Sequence, residues 1–324
     1  MTKAELVDGQ YISSKTAAIY DYAFDKALAA IPWHEWLMDS RTQFQCKSEF
    51  ITGVNRWIHS TRCNSVQSLE RFTQQHVIVG TTQAFDEAYF RYNNRRLRCF
   101  RGEYAYHRRC FKNFLYVEDA PLETGDWLII SWPFCSTGGQ HPLQQATLDT
   151  ARSLDVPVLL DCAYFGTCTH MQFDYSHPAI KEVCFSLTKG LGLGDFRIGI
   201  RYSDFSDNTP IFQQNAYQHL PFANMRIGLH MMNQFSPDFI PDKYLSSQRA
   251  ICEKYGLFAT NCMHLALGPA EWDDFKVDST YVRVGIRNLV KFHFKHAKGD
   301  AQKNIPTNII CDPKETSKIH SVER

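Results

Sequence analysis

The chain has 324 residues, with 35 lysines and arginines against 34 aspartates and glutamates. So even a balance argues against a dedicated binder of nucleic acid or of an acidic membrane surface. Hydrophobic residues make up 44% and charged ones 21%, which excludes wholesale disorder and leaves enough apolar surface for a sizeable core.

Residues 12–38 carry apolar positions at helical spacing with a turn near Pro32, and 46–68 is mixed and partly helical. From residue 76 the pattern alternates. HVIVGTT (76–82) reads as a strand ending in Gly and two Thr, 84–94 as a helix, 96–100 as a strand, 106–114 as a helix and 114–119 as a strand. DWLIISWP (126–133) is a strong buried strand, 143–154 an amphipathic helix, PVLLDCAY (157–164) another buried strand, and 180–190 and 196–203 two more. Beyond about residue 210 the alternation fades. Residues 248–268 suggest helix, turn and strand, 279–286 a strand and 288–300 a helix; the last two dozen residues are polar and read as loosely held. This pace predicts an α/β fold: a three-layer α/β/α large domain with a mostly parallel sheet over 46–229, plus a small α+β domain built from 1–45 and 230–324.

Eleven cysteines are scattered without a C-x-x-C pair, and the histidines show no metal-ligand spacing, so no metal is expected. MTKAELVDGQ has no apolar leader segment, and the longest apolar stretch, 127–135, is too short to span a bilayer. The expectation is a cytoplasmic protein with reduced thiols and no membrane partner.

Ligands on such sheets lie beyond the carboxyl ends of the strands, and four segments there can carry chemistry. Gly80-Thr81-Thr82-Gln83 opens a helix, where free amides and hydroxyls can cradle a phosphate, although Thr is also an ordinary N-cap. Asp161-Cys-Ala-Tyr164 follows VPVLL; its carboxylate could hold a ring nitrogen protonated and its phenol could reach a phenolate oxygen. Ser186-Leu-Thr-Lys189 runs into a glycine-rich turn, and Arg197 follows eight residues after the lysine, where it can pair with an anion. A lysine so placed can form a Schiff base and shuttle protons if it is desolvated. Gly102-Glu-Tyr104-Ala-Tyr-His107 offers an aromatic that could lie on a planar ring. Taken singly, each has an ordinary structural reading as a cap, a turn or a core residue.

Together, and in this order, these segments resemble the fold type I pyridoxal-phosphate enzymes, the aspartate aminotransferase superfamily. The resemblance covers about Phe50 to Arg283, in a short version of the fold. It implies pyridoxal 5'-phosphate as cofactor, with Lys189 as the Schiff-base lysine, Asp161 on the pyridine nitrogen and Tyr164 on the 3'-oxygen. It also implies that Thr81, Thr82, Ser186 and Arg197 hold the phosphate, that Tyr104 stacks on the ring with His107 behind it, and that Arg283 grips the substrate α-carboxylate, with Arg287 nearby. An amino donor, a keto acceptor and a homodimer with active sites at its interface are the partners it implies. Two positions depart from the family pattern. Cys135 occupies the usual Asn position beside the substrate, and Phe50, in the stretch 49–53, lacks the hydroxyl that a partner subunit often supplies.

The leading function is amino transfer on an amino acid or amine-bearing metabolite. α-Decarboxylation on the same fold is the alternative. A third reading rests on seven arginines between Arg91 and Arg109 interleaved with aromatics, which could serve a non-catalytic binder of nucleic acid or nucleotides; the near-zero net charge argues instead for a solvated, ion-paired face.

Overall fold

The computed structural model describes residues 4–38, 42–205, 208–277 and 280–300; the polar segment 301–324 lies outside them. The chain opens with β1 (Ala4–Val7), β2 (Gln10–Ser13), α1 (Tyr22–Ala29), α2 (Trp33–Leu37) and α3 (Gln43–His59). The alternating stretch gives β3 (Ser65–Gln67), β4 (Gln74–Ile78), α4 (Thr81–Arg91), β5 (Arg96–Cys99), α5 (Tyr106–Cys110), β6 (Phe114–Tyr116) and β7 (Asp126–Ser131). It continues through α6 (Gln144–Ser153), β8 (Val158–Cys162), β9 (Gln172–Asp174), β10 (Ile180–Ser186), α7 (Leu187–Gly190) and β11 (Gly199–Ser203). The remainder is α8 (Pro210–Ala216), α9 (Phe222–Gln234), α10 (Phe239–Tyr255), β12 (Phe258–Ala259), β13 (Leu265–Leu267), β14 (Lys276–Val277), β15 (Tyr281–Gly285) and α11 (Arg287–Asp300).

Seven strands form the main sheet in the order β4-β11-β10-β8-β7-β5-β6. β10, β8, β7, β5 and β6 pair in parallel, whereas β11 runs antiparallel to both β10 and β4. Every residue of β7 is buried, as a strand covered on both faces requires. Its side chains alternate: Leu128 and Ile130 enter one apolar cluster with α3 and α9, while Trp127 and Ile129 enter another with α4. The expected three layers follow from that alternation.

The second sheet is antiparallel, in the order β1-β2-β15-β13-β12 with β14 on β15, and draws its strands from both ends of the chain. Here the structure corrects the helical reading of 12–38. Val7 pairs with Gln10 around Asp8-Gly9, both at positive φ, which is the geometry of a two-residue hairpin turn. The chain is then without regular structure to Asp21, whose carboxylate accepts the amide of Ala23 at 2.7 Å and starts α1. The strand predicted over 180–190 also stops early. The Ser186 hydroxyl accepts the amide of Thr188 at 3.3 Å and opens the single turn α7, so Lys189 sits in a helical turn.

The arginine run dissolves into internal pairs. Arg98 is wholly buried, bound to Asp126 at 2.6 Å and to the carbonyls of Leu115, Tyr116, Ala120 and Pro121. Arg91 bridges Glu87 and Glu182, Arg96 pairs with Glu123 and Asp126, and Arg101 pairs with Asp119. A continuous basic surface over 91–109 is therefore not formed. Among the described residues, no helix is long and apolar enough to cross a membrane, and no cluster of His, Cys, Asp and Glu could hold a metal ion.

Candidate active site

The ends of β8 and β10, the start of α4 and Arg197 before β11 meet the 14–17 segment, β14 and β15 around a cavity of about 780 Å³. All ten residues that the sequence analysis assigned to catalysis, cofactor or substrate line it: Thr81, Thr82, Tyr104, Cys135, Asp161, Tyr164, Ser186, Lys189, Arg197 and Arg283.

Lys189 lies with its Nζ 5.2 Å from the Tyr164 ring centroid. Burial draws its amine below the ordinary lysine range; Asp161 and Cys135 oppose this, and Arg197 and Arg283 add to it. Its position depends on two glycines. A Cβ at Gly190 would stand 2.8 Å from the Gly166 Cα, so only bare backbone lets α7 approach the 165–167 turn that follows Tyr164.

Asp161 is buried at the end of β8 and accepts the amide of Ala163 at 3.0 Å. Burial, then the nearby Glu103, pushes its carboxyl up to about 7, against smaller opposing effects of that amide, Lys189 and Thr81. Tyr164 exchanges a 2.6 Å hydrogen bond with the Thr16 hydroxyl and packs on the edge of His264.

At the other end, α4 starts at Thr81 with no side chain capping its first turn. The Arg197 guanidinium donates to the Val79 carbonyl at 3.3 Å and to the Thr82 hydroxyl at 3.2 Å. Gly80 has φ +112, and a Cβ there would lie 2.8 Å from Arg197 Nη2. The result is a cradle of uncapped amides, hydroxyls and a guanidinium that a side chain at residue 80 would fill.

Tyr104 is half-exposed on the cavity wall, stacked on Tyr106 at 5.8 Å and edge-on to His107 at 5.9 Å. His107 is buried, bonded through Nδ1 to the Tyr89 hydroxyl at 2.7 Å, and does not itself line the cavity. Arg283 is fixed by the Ser14 carbonyl through Nε and by the Cys135 carbonyl and Ser136 hydroxyl through Nη1; its Nη2 has no partner among the described residues. Arg287 instead binds the Ala18 carbonyl and does not line the cavity. The Cys135 thiol donates to the Gly102 carbonyl at 3.2 Å, and burial pushes its pKa well above the usual range, so it is no thiolate nucleophile. Phe50 is completely buried within α3 and does not line the cavity.

Two groups escaped the sequence reading. Glu103 is a buried carboxylate on the cavity wall that accepts the amides of Ser131 and Tyr104, each at 2.9 Å, and the Ser131 hydroxyl. Burial raises its pKa. Thr16 arrives on a segment expected to be helical. A carboxylate one residue before the wall aromatic was a signal for the first; nothing local marked the second.

No family model and no curated protein matches the sequence. Solved structures match across most of the chain, and its fold is that of the fold type I pyridoxal-phosphate aminotransferases. MppP, in a structure soaked with the product 2-ketoarginine, aligns with a TM-score of 0.62 and 11% identity over 87% of this chain and 96% of its own. The aminotransferase AspB from Helicobacter pylori 26695 aligns with a TM-score of 0.56 and 12% identity, covering 88% of this chain and 90% of that one. The PLP-bound C-S lyase from Staphylococcus hominis gives 0.54 and 11% identity, over 80% and 85%. At such identities the likeness is one of fold.

Proposed function

We propose that the chain is a pyridoxal-phosphate-dependent aminotransferase acting on an amino acid or amine-bearing metabolite, with Lys189 as the attachment lysine. The observation that carries this reading is the convergence, in one cavity, of a desolvated lysine, a buried carboxylate and the cradle between Gly80 and Arg197. The cavity residues fit the cofactor's chemistry. The cradle suits a phosphate dianion. Asp161 is a buried carboxylate with no hydrogen-bonded cation, and so suits a protonated ring nitrogen.

Asp161 would hold that proton, and Tyr164 would give its hydroxyl to the 3'-oxygen in exchange for Thr16. Arg197, Thr82, Ser186 and the first amides of α4 would hold the phosphate, and Tyr104 would cover the ring. The bound cofactor supplies the electron sink that stabilises negative charge at the substrate carbon. The lowered basicity of Lys189, caused first by burial, favours the unprotonated amine, the form that attacks a carbonyl and can take a proton from the substrate α-carbon and return it elsewhere. Arg283, with Nη2 uncommitted, would orient the α-carboxylate. The working unit in this reading is a homodimer.

The test is an absorbance spectrum of the purified protein with pyridoxal phosphate. A near-visible band is expected that borohydride fixes onto the peptide containing Lys189, that an amino donor bleaches and that a keto acid restores. Lys189→Ala with full turnover would remove the reading. Release of carbon dioxide with no need for a keto acid would reassign the reaction to α-decarboxylation.

A further inference from the structure

Two members of the arginine run reach the cavity. Arg108 and Arg109, in the last turn of α5, line the cavity, as do Lys15 after β2 and Lys276 in β14. Seven basic side chains line the cavity against two acidic ones, in a chain whose totals are 35 and 34. The charges are also sorted by depth. Both acids, Glu103 and Asp161, are buried, whereas Lys15, Arg108, Arg109 and Lys276 are exposed. Three of the seven, Lys189, Arg197 and Arg283, have roles in the function proposed above. Lys276 is partly neutralised by Asp273 at 2.9 Å. Arg108 donates to the neutral Tyr116 hydroxyl at 3.2 Å. Among the described residues, neither the Arg109 guanidinium nor the Lys15 ammonium has a hydrogen-bond or ion-pair partner.

Solvated lysines and arginines are common on any surface. Here, however, the exposed ones sit on three separate segments that line one cavity, with no acid among the exposed residues that line it. A cleft with low-dielectric walls and charges of one sign at its mouth concentrates and orients anions. Arg197 and Arg283 already supply cations for a phosphate and an α-carboxylate in the function proposed above, so Arg109 and Lys15 have no task in binding those two.

We infer that the amino substrate carries a second anionic group, a carboxylate or a phosphate, held at the mouth by Arg109 and Lys15. The inference rests on the aminotransferase reading and names the substrate class for that site. An ω-anionic amino acid enters with its α-carboxylate on Arg283 and its far anion at the mouth; a neutral side chain of equal length leaves the outer cations solvated.

Unreactive probes test this without turnover. The full chain loaded with pyridoxal phosphate is titrated calorimetrically with glutarate, 4-phosphonobutyrate and pentanoate, at low and at high salt. Glutarate or the phosphonate should bind roughly tenfold more tightly than pentanoate, and the advantage should shrink with salt. Arg109→Glu and Lys15→Glu, on different segments, should each reduce that ratio several-fold. A gain for glutarate alone identifies a carboxylate, and a gain for the phosphonate alone a phosphate. Equal binding of all three probes, or a ratio unmoved in both variants, overturns the inference. If the protein forms no near-visible band, the aminotransferase reading fails and takes this one with it; a normal band with charge-blind binding overturns this one alone.

Discussion

Replacing Asp161 with Asn should stabilise the protein that has been stripped of cofactor while abolishing its hold on the cofactor. Burial, with Glu103 close by, lifts this carboxyl from 3.8 in the unfolded chain to about 7 in the fold. The folded state therefore binds the proton more tightly than the unfolded state does, and the group's contribution to stability falls as pH rises through that window. At about 1.4 kcal/mol for each unit, ionising Asp161 in the fold costs on the order of 4 kcal/mol once pH is well above 7. Asn has the same shape, keeps an acceptor for the Ala163 amide and cannot ionise. Thermal unfolding of both proteins, stripped of cofactor, from about pH 5 to about pH 8 is the assay. The variant's advantage should be smallest at the acid end and should grow to several degrees at the alkaline end; on adding pyridoxal phosphate, only the wild type should gain. A variant that is less stable than wild type by the same margin at every pH would refute the argument, because Asp161 would then be a structural ligand and no source of tension.

Three further outcomes follow from the same geometry. Arg197→Ala removes a guanidinium from the phosphate cradle, so affinity for pyridoxal phosphate should fall roughly tenfold to a hundredfold while affinity for unphosphorylated pyridoxal barely changes; equal losses for both, by fluorescence titration, would place the arginine elsewhere in the mechanism. Asp126→Ala leaves the buried Arg98 guanidinium without its carboxylate and should cost about 3–5 kcal/mol in urea unfolding. Gly190→Ala forces a Cβ to 2.8 Å from the Gly166 Cα and should cost about 1–3 kcal/mol, with a shifted near-visible band reporting a displaced Lys189; an unchanged melting point and spectrum would show that the two turns separate freely.

Much of the site was legible because it is local in sequence. Asp161 and Tyr164 leave one apolar run together, and Lys189 and Arg197 bracket one glycine-rich turn, so strand ends and spacing marked them as candidates, and the resemblance to the fold type I enzymes supplied the roles expected of them. The hairpin of β1 and β2 had a signal too, in Asp8-Gly9 between short alternating stretches. It was missed because the apolar residues of 12–38 also satisfy a helical period, and four-residue strands offer too few repeats to decide. What places Thr16 against Tyr164 is pairing of Ser13 with Gly285, a contact 272 residues away in sequence that no local pattern encodes. Net charge favours the ion-paired reading of the arginines but cannot name their partners, for a related reason. Their partners Glu123, Asp126 and Glu182 lie on other elements, so a cluster in sequence is dispersed in space.

The reversed strand β11 changes what the working edge of the sheet can be made from. In a wholly parallel sheet only residues that leave strands reach that edge, and each needs a crossover connection to return for the next. β11 runs the other way between β10 and β4, so a residue that enters a strand, Arg197, stands at the same rim as Ser186 leaving its neighbour and Thr82 beyond the other. The amine and the cation that would hold the aldehyde carbon and the phosphate of one cofactor therefore belong to a single tight connection between Ser186 and Gly199. Their spacing behaves like a fixed gauge, independent of how the N- and C-terminal strands settle. A single inserted residue in that connection should disturb cofactor fit more than several inserted in the loop after β6, although both loops lie outside the hydrogen-bonded ladder.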